Sequence, residues 1–531
     1  MTAQDTDADK KEMKNLLSRN VSVNIVSKIF YMFTRVGLPP VILSYVTLDE
    51  YGIWAACFIL ISYLGMSAFG VSNVYIRYVA DYRARNETEK INRLISTGLT
   101  VTLALSLVLL VLLWLGLPAV IVLFKVPLPL QRTAFVLIFV TAATFMLDLT
   151  FGAFAYVLHG LQMIVQQTVV WVISFCMEAA LIVLMLVGGF GIYALLWAFV
   201  IRYLFATVAN IVLCYRAIPG LSLGIRLFDR ASLRLFYGYG AIVQISGLLG
   251  MFLYSIEKVL AGTFVGVHAT GLFDVGEKFP VMSSQISSSM NASFLPAVSH
   301  LHSQGRRDEI AKLYLKGARY MSMMTGVMMG FLAAFAGPLI TAWIGPDETY
   351  RVAALILACF TLPFQMNVLT GPGSAFHRGV GKPARELVYP MMQLVLVGVT
   401  VGVGFLWWGK TVVVIAGAVA ASMVMSALIY MIYTNRFQGI GQWRYAWQVL
   451  IPGIAPYLFG FALAWTARPW YAWAGADRIR LLGALSVSGV LYVALAGFFL
   501  YRVLCDWGER EYLKKQIVHT IGGFLKRRRT A

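Results

Sequence analysis

The stretch DYRARNETEKINR (81–93) returns 219 residues later as HLHSQGRRDEIAK (300–312), with Ile91 on Ile310 and, just beyond, Leu94 on Leu313. Both are charged loops leading into long apolar runs. At the same offset Gly52 falls on Gly271, Gly98 on Gly317, Gly152 on Gly371 and Gly160 on Gly379. Among 47 glycines one or two such matches arise by chance. Loops, glycines and apolar runs agreeing in one register indicate an internal repeat.

The apolar runs decide the class. They lie at 21–46, 52–78, 96–124, 131–158, 165–187, 191–214, 236–260, 267–297, 318–344, 352–376, 386–408, 411–434, 446–467 and 482–504. Each is long enough to span a bilayer as a helix, the form that satisfies its own backbone in lipid. Hydrophobic residues make up 59% of the 531, and charged residues only 13%. An average soluble chain carries about 25% charged residues, so a soluble enzyme, a secreted disulfide scaffold and a disordered chain are excluded. The five cysteines form no C-x-x-C pair, and no histidine set has metal-ligand spacing.

The net charge of +19 reads as topogenic lysine and arginine beside anionic lipid headgroups rather than as a nucleic-acid surface. Cations concentrate in alternate loops, which places both termini of a multi-pass protein in the cytoplasm. Six spans per repeat preserve orientation, so the repeats are parallel about an axis normal to the membrane. The predicted architecture is an all-α polytopic membrane protein of about 14 transmembrane helices. It has an N-terminal tail (1–20), an N-lobe (21–217), a linker (218–235) and a C-lobe (236–437). Two further spans (438–504) and a basic tail (505–531) follow. Two pseudo-symmetric six-helix lobes would enclose a central cavity, the layout of an alternating-access carrier.

Ionisable groups within spans should face protein or water. The first span holds Lys28 and Arg35, followed by Gly37-Leu38-Pro39-Pro40, where a bend or break is expected. Arg77 ends the second span and Glu257-Lys258 the seventh. In the eighth, Asp274, Glu277, Lys278, Gln285, Ser288 and Asn291 recur at helical spacing, a polar stripe suited to a hydrated lumen, with Pro280 as a bending point. Arg77, Lys28, Arg35 and Lys258, ordered by depth, form a route for an anionic substrate, and arginine matches phosphate oxygens well. The alternatives are snorkelling for Lys28 and Arg77 and a local ion-pair network for Lys258 and Lys278. Asp148 and Glu178 are lone carboxylates, either helix-binding groups or ion-coupling sites. His377 is expected at the membrane interface, and Gly398/Gly402 at a close helix crossing.

The cationic first span with its proline pair, the Leu48-x-x-Tyr51-Gly52 opening of the second, and Arg83, Lys90 and Leu94 in the charged loop resemble the polysaccharide-transporter (Wzx-type) flippases. These belong to the multidrug/oligosaccharidyl-lipid/polysaccharide exporter (MOP) superfamily. The resemblance spans nearly the whole chain and rests on pattern and topology more than on any signature. It implies a non-enzymatic flippase moving a polyprenyl-pyrophosphate-linked oligosaccharide outward for surface or exopolysaccharide synthesis, alongside polymerase and export machinery. The family's cationic lumen would map onto Arg35 and Lys258, then Lys28, Arg77 and Lys278. A cation-coupled multidrug efflux antiporter and a membrane polysaccharide polymerase or ligase are the alternatives. No phosphate-binding G-x-x-x-x-G-K-[ST] loop is present, so a proton or sodium gradient would supply any coupling, with no cofactor.

Overall fold

The computed structural model describes residues 31–504 except 33, 66–70, 238–248 and 251. Lys28 and both terminal tails therefore lie outside the described residues. Helices follow one another with short connections: α1 (31–43), α2 (Leu48–Gly65), α3 (Val71–Ala84), α4 (Thr88–Leu123), α5 (Gln131–Phe151), α6 (Ala153–Gly160), α7 (Ile164–Val187) and α8 (Tyr193–Ala217). After the linker come α9 (Arg230–Tyr237), α10 (Ile256–Phe264), α11 (Val267–Ser288), α12 (Phe294–Ser303), α13 (Arg307–Ala334) and α14 (Ala336–Trp343). The chain continues through α15 (Thr349–Gly379), α16 (Val388–Trp408), α17 (Val412–Gln438), α18 (Ile451–Thr466) and α19 (Arg478–Phe499). No strand occurs among the described residues.

Ten helices are long and apolar enough to cross a membrane, and eleven spans result if α13 and α14, bent by 73°, are one. Three of the expected segments are not among them. The first and seventh extend into residues outside the description, and α11 carries Asp274, Glu277 and Lys278.

The repeat is written into the backbone. The starts of α2, α4 and α8 recur 219 residues later as the starts of α11, α13 and α17. Backbone turns obey the same offset: the left-handed residues Asn86, Gln162 and Gly220 correspond to Gly305, Gly381 and Gly439. Glycine is at home at such a φ, Asn86 tolerates it and Gln162 holds it against its own preference, so the turn geometry is kept where the residue is not. Close packing repeats too. A Cβ on Gly98 would strike Tyr75, and one on Gly317 would strike Phe294, the residue equivalent to Tyr75. Gly160 packs on Val79, and Gly379 on its equivalent Val298.

Contacts group the described residues into two units: one up to Lys278 together with 398–418, the other Phe279–Val397 together with the residues from Val419. The first division falls inside α11, beside Pro280. The first unit has a core of Tyr75, Ile91, Leu94, Phe154 and Leu158 joining α3, α4 and α6. The second has one of Tyr314, Met321, Leu369 and Met431 joining α13, α15 and α17.

Three local expectations change. The backbone stays helical through Pro39 and Pro40 to residue 43, where the chain turns at Ser44 and Tyr45. Each proline removes one hydrogen bond to the preceding turn, and the helix ends three residues after Pro40. Gly398 and Gly402 face open space and make no close crossing. His377 is fully buried, its Nε2 3.2 Å from the Thr434 hydroxyl, because α15 carries it inward against Tyr430 and Tyr433.

Candidate functional site

Two clusters of buried charge occur in the first unit. The first surrounds Arg35 on α1. Its guanidinium lies over the rings of Tyr31 (5.2 Å), Phe58 (5.7 Å) and Phe175 (5.8 Å). Tyr31 sits one turn earlier on α1, and Phe175 on α7 meets it edge-on at 5.2 Å. Trp171, one turn before Phe175, extends the aromatic wall at 4.4 Å.

Arg202 on α8 completes this cluster. It is 6% exposed, and its Nε lies 3.2 Å from Glu178 of α7. Its guanidinium stacks on Tyr203 at 3.9 Å and Phe175 at 4.4 Å. Phe175 thus lies between two guanidinium groups. Asp148 on α5 and Glu178 act electrostatically on Arg202 and Arg35 respectively, so the two lone carboxylates belong to one constellation. Within 4 Å Arg202 has a carboxylate, whereas Arg35 has none among the described residues and is held by aromatic faces. The guanidinium is also within hydrogen-bonding reach of the Tyr31 side chain, and among the described residues no carboxylate within 4 Å takes the rest of its N–H fork.

The second cluster joins α10 and α11. Lys258 Nζ donates to Asp274 Oδ1 at 3.0 Å and lies 3.7 Å from Glu277. Lys278, one turn along, donates to Asp274 Oδ2 at 2.7 Å, and the Tyr51 hydroxyl donates to the same oxygen at 2.8 Å. Asp274 therefore accepts from three elements of the chain. Glu257 and Glu277 are 3% and 1% exposed and within hydrogen-bonding reach of each other. This network sits where α2 crosses α11: a Cβ on Gly52 would collide with the Val267 carbonyl, and one on Gly271 would lie 3.0 Å from the Leu48 carbonyl oxygen.

The remaining predicted residues stay apart. Arg77 is exposed on α3, with its guanidinium 5.4 Å from the Tyr78 ring. Gln285 and Ser288 are exposed and Asn291 half-buried, the last packed against Gly371. Arg202 went unnamed in the sequence although it lies within an apolar span, the signal that singled out Arg35. Among the described residues no group of histidine, cysteine and carboxylate side chains could hold a metal ion.

The chain is a multi-pass, all-helical membrane protein with an internal repeat and charged side chains buried among its helices. Residues 42–348 match the family described as polysaccharide biosynthesis protein, and the chain belongs to that family, the polysaccharide-transporter branch of the superfamily. It is 22% identical over 519 residues to the "uncharacterized membrane protein EpsK" of Bacillus subtilis (strain 168), covering 95% of this chain and 98% of that one. Among solved structures, the lipid II flippase MurJ in an inward closed conformation aligns with a TM-score of 0.68 at 13% identity, over 91% of this chain and 98% of that one. An inward-facing multidrug resistance transporter of the MATE family aligns with a TM-score of 0.61 at 14% identity, over 79% and 94%.

Proposed function

We propose that the protein is a flippase that carries a polyprenyl-pyrophosphate-linked oligosaccharide across the bacterial cytoplasmic membrane, with both termini in the cytoplasm. Its product would feed a polymerase and export machinery for surface polysaccharide. The observation that carries this reading is Arg35: a cation within a span, framed by Tyr31, Phe58 and Phe175, with no carboxylate within 4 Å among the described residues. A pyrophosphate supplies the oxygens that a guanidinium fork accepts, and the aromatic wall offers faces for sugar rings. Lys258 and Lys278 already hold Asp274, which makes them a brace between α10 and α11 rather than free partners for substrate.

Transport of this kind is binding and release from two sides and involves no bond breaking, so the reading is not enzymatic. A substrate shifts two states only through unequal affinity for them, and a proton or sodium gradient is the candidate driver, with Glu178, which acts on Arg35, and Asp148, which acts on Arg202, the candidate coupling carboxylates. Removing the gene from its host tests the reading in cells. Full-length lipid-linked oligosaccharide should accumulate on the cytoplasmic leaflet and polymer should be lost. Unchanged polymer, with new sensitivity to organic cations, would assign the protein to multidrug efflux instead.

A further inference from the structure

A cation-lined cavity that does not include Arg35 lies at the ends of α3 and α8 and the turn between α6 and α7. It has a volume of about 470 Å³ and is lined by Arg83, Leu161, Met163, Leu213, Arg216 and Ala217. No carboxylate lines it, and neither Arg83 nor Arg216 has an ion pair among the described residues. The neighbouring Arg85 is paired, with Asp81 at 2.9 Å.

The walls are firmly built. Gly160 of α6 packs so tightly on α3 that a Cβ there would lie 3.0 Å from Val79 Cβ and 3.1 Å from the Ile76 carbonyl oxygen. The turn that follows holds Gln162 at φ 60° and is tied down by the 3.1 Å contact of His159 with Gln167. On α8, the Cys214 thiol donates to the Phe154 carbonyl at 3.4 Å.

One side of the cavity opens onto an apolar ridge. Leu204, Val208 and Val212, each four residues apart on α8, are 51%, 58% and 42% exposed, and the next position in that row is Arg216. A helix row that is apolar along its length and ends in an unpaired arginine matches a lipid: acyl chain on the ridge, phosphate at the cations. Arg83, Arg216 and the linker's Arg226 and Arg230 belong to the cation-rich side of the sequence, where anionic lipid headgroups concentrate.

We propose that this cavity is a binding site for the phosphate of a membrane lipid, held between Arg83 and Arg216 with its acyl chain along Leu204, Val208 and Val212. The phosphate belongs either to an anionic phospholipid or to a polyprenyl phosphate, and the site is distinct from the Arg35 cluster. It does not depend on what the protein transports.

The test is lipid retention by the purified full-length protein in detergent, read by native mass spectrometry with phosphatidylglycerol, phosphatidylethanolamine or undecaprenyl phosphate added in equal amounts. Phosphatidylglycerol should be retained over phosphatidylethanolamine. Arg83→Gln and Arg216→Gln should each weaken that retention about tenfold, the value of one charge-assisted contact. Arg85→Gln should leave it unchanged, and all three residues are exposed enough for the variants to fold. Displacement of phosphatidylglycerol by equimolar undecaprenyl phosphate assigns the site to the polyprenyl lipid, and persistence assigns it to the phospholipid. Equal retention in wild type and both variants, or an equal loss in Arg85→Gln, would overturn the proposal.

Discussion

Asp49 and His268 stand one repeat length apart in the sequence and hydrogen-bond to each other, Oδ1 to Nδ1, at 2.9 Å. Equivalent residues of two repeats can touch each other only beside the axis that relates them. Gly52 and Gly271, one turn further along the same helices, repeat the relationship, with a Cβ on Gly271 reaching 3.4 Å from Gly52 Cα. The α2–α11 crossing is therefore a symmetric contact, and its closeness requires glycine on both sides.

That crossing should not accept a methyl group. Gly52→Ala places its Cβ against the Val267 carbonyl, which is backbone and cannot swing aside. A loss of about 1–3 kcal/mol is expected. It should appear as a lower melting temperature in detergent, while Gly398→Ala and Gly402→Ala, facing open space, leave the melt unchanged. Equal melts for Gly52→Ala and Gly398→Ala would contradict the packing.

Asp274 accepts from Lys258, Lys278 and Tyr51. Asp274→Asn strands the largely buried Lys278 ammonium and leaves Lys258 only Glu277, and breaking a buried pair from one side costs about 3–5 kcal/mol. Yield and thermal stability should fall sharply. Replacing Lys278 by methionine in the same chain should recover most of the loss, because Lys258 still has Glu277 at 3.7 Å and no ammonium is then left unpaired. Failure of this double variant to recover would mean that the network does more than brace helices.

Arg202 and Arg35 share Phe175 but should behave differently. Arg202→Met leaves Glu178 buried without its partner and should destabilise the protein, and Arg202→Met with Glu178→Met should restore stability. Arg35→Ala should melt within a few degrees of the wild type, since it strands no carboxylate within 4 Å. The melting temperatures of the three variants decide between these roles.

Outside the membrane, Asp229 caps α9. Its carboxylate accepts from the Ala231 and Ser232 backbone amides at 3.1 and 2.9 Å, and those hydrogen bonds hold its pKa below the ordinary carboxylate value. A depressed folded pKa contributes stability that is complete above the unfolded value of about 4 and fades as pH falls through the folded one. Hydrogen exchange across 230–237 should thus show protection, relative to Asp229→Ala, that is constant from pH 8 to about 5 and shrinks below about pH 4. A cap of this kind contributes about 1 kcal/mol. Identical exchange in the two proteins at neutral pH would remove it.

Span positions and the repeat were legible in the sequence because hydropathy and backbone turns are local properties. Asn86 and Gly305 keep one φ with different residues, and the offset still exposes them. The Asp274–Lys278 pair was readable from i,i+4 spacing, and Lys258 from its place in a neighbouring span. Arg202 with Glu178 was not, since rotation about α7 and α8 decides which buried groups meet, and no residue spacing encodes it. Gly398 and Gly402 show the converse error: a small-residue pattern fits a crossing equally well on a face that meets no helix.

The central claim is tested most directly with purified protein in liposomes, following a fluorescent polyprenyl-pyrophosphate oligosaccharide as it becomes accessible to an outside reagent. Protein-dependent movement is expected, falling at least about tenfold in Arg35→Ala, the loss of one charge-assisted contact to phosphate, while the variant melts like the wild type. Movement of that lipid at the wild-type rate in Arg35→Ala, or no movement in the wild type beside gradient-driven efflux of an organic cation, would contradict it.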